Sequence, residues 1–120
     1  MISQQTTKVL LITNKEDVTT DFIVKELQTR QIPYFRLNTE DLCTLVYVTL
    51  DFCDNRFELL DKRSNQIIDI LSFTDIYYRR PELPNFSGIG LSIGEINFLK
   101  TEVYYCLEGI YKLLDGKHWL

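Results

Sequence analysis

Three clusters of polar residues have the types and spacing to do chemistry: Asn14-Lys15-Glu16-Asp17, Asn38-Thr39-Glu40-Asp41 and Arg79-Arg80. Each follows a short apolar run that reads as a strand. If those strands are parallel neighbours, all three clusters meet on the carboxyl edge of one sheet. In open α/β sheets, ligands and partner domains dock on that edge. The same side chains would serve equally well as structural ion pairs. With both arginines in a strand, they point to opposite faces. One is then free to form a bidentate pair with Glu40 or Asp41, and the other faces solvent or a ligand phosphate.

Other chemistries find little support. His118 is the only histidine, so no Ser-His-Asp set or histidine metal site is at hand, and it reads as a surface or interface residue. Cys43, Cys53 and Cys106 are odd in number and lack CxxC spacing, as expected of reduced thiols in a cytoplasm. No metal ligands and no catalytic residue are assigned. Gly88-Ile89-Gly90-Leu91-Ser92-Ile93-Gly94 is GxGxxxG, one residue off the dinucleotide fingerprint, and reads as a flexible loop opening onto a helix. A net charge of −4 and no basic run argue against a nucleic-acid partner. No apolar run is long enough to span a membrane, and the N-terminus lacks a secretory signal, so the expected location is cytoplasmic.

The elements that must position the clusters are legible in the pattern. Lys8 to Thr13 is an unbroken apolar run, typical of a strand buried on both faces. Val18 to Gln31 reads as a helix with Phe22, Ile23 and Leu27 on one face, Asp17 or Thr19 as N-cap, and Pro33 as the stop. Tyr34 to Leu37 is a second strand, completing a βαβ unit. Val46, Val48, Leu50 and Phe52 alternate with polar residues. With return strands over 56–60 and 66–70, they predict an antiparallel meander. Ser72-x-x-Asp75 suggests a capped helical turn, and 76–80 is the last strand. Ser92-x-x-Glu95 is a capping box. Ile96, Leu99, Val103, Leu107, Ile110 and Leu114 then mark one face of a long helix ended by Gly116.

The 120 residues suit one domain, residues 1–120. Alanine is absent, so large Leu, Ile, Val, Phe and Tyr side chains must carry the burial. The chain turns apolar again at its close, with its only tryptophan, Trp119, penultimate. That pattern suggests a domain boundary at which more of a longer protein is missing.

The runs Leu11 to Asp17 and Tyr34 to Asp41 resemble the start of the microviridin-type ATP-grasp ligases, also called graspetide or "grasp-with-spasm" peptide ligases. So do Thr20-Asp21-Phe22, Tyr78-Arg79-Arg80-Pro81, and the closing helix with Glu102, Gly109 and the trailing Trp119. The resemblance runs through essentially the whole chain. It implies a small Rossmann-like pre-ATP-grasp domain of the α/β class, a mixed sheet with a parallel βαβ core, an antiparallel meander and a long C-terminal helix. It implies a parent enzyme that uses ATP and Mg²⁺ to form an acyl phosphate on an Asp or Glu side chain of a ribosomal precursor peptide. A Ser/Thr hydroxyl or Lys amine then attacks, closing a macrolactone or macrolactam. In that family the ATP and metal residues lie in central and C-terminal domains, which would follow Leu120. This chain alone would then be inactive and hold no cofactor. Asn14, Lys15, Glu16, Asp17, Asn38, Thr39, Glu40, Asp41, Arg79, Arg80 and Trp119 would face the cleft or the neighbouring domains. The rival readings are a stand-alone Rossmann-like binding module and a self-association module. In the second, Tyr104, Tyr105, Tyr111 and Trp119 would form the surface of a homodimer.

Overall fold

The structure, a computed structural model, describes residues 6–120. Met1 to Gln5, part of the N-terminus that lacks a secretory signal pattern, lie outside the described residues.

Strand β1 (Val9–Thr13) is buried at every position. It sits between β2 (Tyr34–Asn38) and β6 (Asp75–Tyr78), parallel to both. An unbroken apolar run is what a strand needs when both faces are covered. Leu10 and Ile12 enter the main hydrophobic core. Thr13 points to the other face, where its hydroxyl lies 3.4 Å from that of Thr20 in helix α1 (Val18–Thr29).

Helix α1 begins where Asp17 caps it, accepting from the Thr20 amide. It ends before Pro33 is reached. Gln31 adopts φ 56°, the Ile32 amide donates to the Leu27 carbonyl, and the Gln31 amide donates to that of Gln28. This is a Schellman closure with a non-glycine residue in the left-handed position. Of the expected apolar face, Ile23 and Leu27 are half-buried, but Phe22 is 68% exposed, and the fully buried residue of α1 is Thr20. Hydroxyl hydrogen bonding, rather than ring burial, seats this end of the helix.

The meander forms as read: β3 (Val46–Asp51), β4 (Arg56–Asp61) and β5 (Gln66–Asp69) pair antiparallel. These strands make a sheet of their own beside the parallel one. Asp69 caps a 3-10 turn over Ile70–Ser72. The turn expected from Ser72 to Asp75 is therefore displaced, and Asp75 opens β6.

Helix α2 (Ile93–Leu113) starts on the capping box of Ser92 and Glu95, with both reciprocal bonds present. Its Val103, Leu107 and Ile110, with Leu114 just beyond, are buried against side chains of both sheets. Each Leu or Ile so buried contributes about 1.5–3 kcal/mol. Phe86, from the long loop before α2, is also buried in this core. Gly116 (φ 92°) turns the chain beyond the helix end. The chain then adds β7 (His118–Trp119), parallel to β6. The parallel sheet thus has four strands, in the order β2-β1-β6-β7. Among the described residues, no helix is long and apolar enough to cross a membrane.

Candidate functional site

Because β2, β1 and β6 are parallel neighbours, the residues after their carboxyl ends converge. Lys15 links the first two clusters. Its amide donates to Glu40 Oε2 at 3.1 Å, and its ammonium pairs with Asp41. Thr39 joins the second cluster to the loop after β6: its hydroxyl accepts from the Glu82 amide at 2.8 Å and donates to the Glu82 carbonyl. Asn14 Nδ2 donates to the Arg80 carbonyl at 2.7 Å. Arg79 Nε lies 3.3 Å from Asp17 Oδ1.

Asp17 is the most constrained group. Its side chain is 4% exposed. Burial opposes its charge, yet donors outweigh that cost. They are the hydroxyls of Thr20 and Thr13, the Thr20 amide and the Arg79 guanidinium, and they hold its carboxyl well below the ordinary value of 3.8. The carboxylate caps α1 itself, so it already occupies the place where a ligand anion would sit at that helix start.

The arginines depart from expectation. Strand β6 stops at Tyr78, although the Arg79 amide still donates to the Ile12 carbonyl at 2.9 Å. Arg80 has φ 50° and turns out of the sheet, so the strand does not reach 80 and the two side chains do not alternate across it. Neither arginine pairs with Glu40 or Asp41. Asp41, almost wholly buried, takes Lys15 and Arg63, the latter at 3.5 Å. Arg80 is exposed and forms no ion pair among the described residues.

The pattern of strand-end clusters does not include Arg36. From inside β2 it donates to Asn38 Oδ1 at 2.9 Å and to the Asn14 carbonyl at 2.8 Å, and it pairs with Asp21. Its signal was a lone cation inside an otherwise uncharged strand. Asn38 is thereby turned toward Arg36 rather than held free. Glu16 is exposed.

Trp119 lies apart from these clusters. It is not a loose tail: it sits in β7, and its indole donates to the Leu114 carbonyl at 3.0 Å. Its ring lies 6.1 Å from that of Tyr111 and 6.3 Å from that of Tyr78. His118, exposed as read, meets Asp75 at 2.8 Å. Bonds from Thr74 first, and then from His118, keep Asp75 more acidic than usual.

An open cleft of about 400 Å³ remains on this edge, lined by Asn14, Glu16, Asp17, Arg79, Arg80 and Glu82, among others. Most of its polar groups already hold one another. Arg80 and Glu16 are among its exposed charges.

No family model and no curated protein matches the chain. Solved structures do. Macrocyclase MdnB from Microcystis aeruginosa MRC superposes with a TM-score of 0.79 at 24% identity, over 95% of this chain and 37% of that one. Macrocyclase MdnC from the same organism, bound with precursor peptide MdnA, gives 0.74 at 18% identity, over 86% and 34%. A Chryseobacterium gregarium RiPP-associated ATP-grasp ligase, in complex with ADP and a leader and core peptide, gives 0.71 at 17% identity, over 86% and 32%. The chain thus spans about a third of the length of each. Its fold is that of a segment of these peptide macrocyclases and of this ATP-grasp ligase.

Proposed function

We propose that this chain is the N-terminal, non-catalytic domain of a microviridin-type ATP-grasp peptide ligase acting in the cytoplasm. The observation that carries the reading is the shared fold over 95% of the chain with a macrocyclase of which the match covers only 37%. The carboxyl edge supports it: Asp17 and Asp41, its most buried acids, are engaged by neighbours. The edge then acts as a docking wall for central and C-terminal domains. Those domains would bind ATP and Mg²⁺ and activate a side-chain carboxylate of a precursor peptide as an acyl phosphate. A hydroxyl or amine of the same peptide would then close the ester or amide.

Calorimetry of the 120-residue chain with Mg-ATP tests this. The expected result is no saturable heat. Micromolar binding would place the nucleotide site in this chain and overturn the reading. A second reading, self-association into a homodimer, is favoured by the exposed Phe98, Tyr104 and Tyr105 of α2. A strict monomer in sedimentation at high micromolar concentration would remove it.

A further inference from the structure

Beside the carboxyl-edge cleft lies a second, smaller cavity of about 160 Å³, between α2 and the segment that follows β6. Helix positions 104, 107, 108 and 111 form one stripe, the i, i+3, i+4, i+7 pattern of a single face. Buried Leu107 lies on this stripe with Tyr104, Glu108 and Tyr111. Tyr78 and Glu82 line the opposite side. The Tyr78 and Tyr111 rings stand 5.6 Å apart at 80°.

The lining is one-sided in charge. It holds two carboxylates and no cationic side chain. Neither Glu82 nor Glu108 forms an ion pair among the described residues. Burial first, and then the neighbouring Tyr78 and Glu108, push the Tyr111 phenol well above its ordinary range. Its ring is therefore uncharged at neutral pH, in surroundings that disfavour added negative charge. Aromatic faces beside unpaired carboxylates attract cations. The cavity is smaller than the roughly 300–1,000 Å³ of a typical ligand pocket, so it fits a side-chain head group. A planar guanidinium stacks on tyrosine rings and pairs with carboxylates through its forked donors, which a compact ammonium does less well.

We propose that this cavity is a recognition pocket for an arginine side chain of a docking polypeptide, held between Tyr78, Tyr104 and Tyr111 and neutralised by Glu82 and Glu108.

The test titrates the 120-residue chain with acetyl-Gly-Arg-Gly-amide and with its citrulline counterpart, a neutral isostere, while NMR follows the tyrosine ring resonances. The arginine peptide is expected to shift Tyr78, Tyr104 and Tyr111 saturably, and the citrulline peptide is not. The double variant Glu82→Gln/Glu108→Gln should weaken arginine-peptide binding about fivefold or more. Tyr104→Leu, at a position 51% exposed, should weaken it as well while leaving the thermal midpoint within a few degrees. Equal shifts with citrulline, no shift with arginine, or unchanged binding in both variants would overturn the proposal.

Discussion

Arg79 and Asp17 meet at 3.3 Å across 62 residues of chain. The contact ties the end of β6 to the first turn of α1. It joins two of the three strand-end clusters through a carboxylate that also caps a helix.

Asp17 therefore has two structural duties, and its loss should be costly. Asp17→Ala removes a helix cap and leaves the Thr13 and Thr20 hydroxyls without their acceptor. The expected cost is about 2–4 kcal/mol, measured as a lowered urea midpoint with unchanged slope. A loss below 0.5 kcal/mol, well under the roughly 1 kcal/mol of an ordinary cap, would contradict this role.

Acid should unfold the protein through the same group. Asp17 and Asp75 are both more acidic in the folded chain than the ordinary 3.8. The unfolded chain thus binds more protons as pH falls, and stability falls with it. These two groups contribute a flat profile from neutral pH to about pH 5 and a decline that steepens below 3.8. Denaturation midpoints across this range should show it, and Asp17→Asn should make the decline shallower.

The two neighbouring arginines should separate cleanly. Arg79→Ala leaves Asp17 with its other donors and should cost about 1–2 kcal/mol. Arg80 holds a left-handed backbone with no ion-pair partner among the described residues. Arg80→Gly should therefore stabilise by about 0.5–1 kcal/mol. Thermal melts of the two variants should move in opposite directions.

The start of α2 offers a local control. Ser92 accepts from the Glu95 amide at 3.1 Å, and the Glu95 carboxylate accepts from the Ser92 amide at the same distance. Ser92→Ala should cost about 1 kcal/mol, and amide exchange should quicken in the first turn of α2 rather than in the sheets.

Periodic signals carried most of the architecture. The run from Val9 to Thr13 reads as a doubly covered strand by its length and β-branched content, and the stripe from Ile96 to Leu114 reads as one helix face. β7 was hidden because two residues have no period; its existence depends on Gly116 turning the chain back to β6. The burial of Thr20 in place of Phe22 was hidden because a hydroxyl gains its place by bonding Asp17, which apolar counting cannot register. In the candidate site, the meeting of the three clusters was legible from strand ends. Their partners were not. Asp17, Glu40 and Asp41 all compete for the same few cations, and only the register and the turn at Arg80 decide that Arg79 takes Asp17 while Lys15 and Arg63 take Asp41.

The β1–β6 ladder has a kinetic consequence. It is flanked by a bond between Lys8 and Thr74, 66 residues apart, and the whole meander lies inside that loop. The meander strands are joined by short turns and can zip locally, whereas closing β1 onto β6 carries the larger entropic cost of distant ends. Pairing of β3, β4 and β5 first shortens the effective loop. The β1–β6 closure is therefore expected after the meander, and pulse-labelling hydrogen exchange should protect the β3–β5 amides before those of β1 and β6. The contacts of the charged edge that reach the segment after β6, from Arg79 to Asp17, from Asn14 to Arg80 and from Thr39 to Glu82, can form only with that closure, whereas those of Lys15 and Arg36 need only β1 and β2.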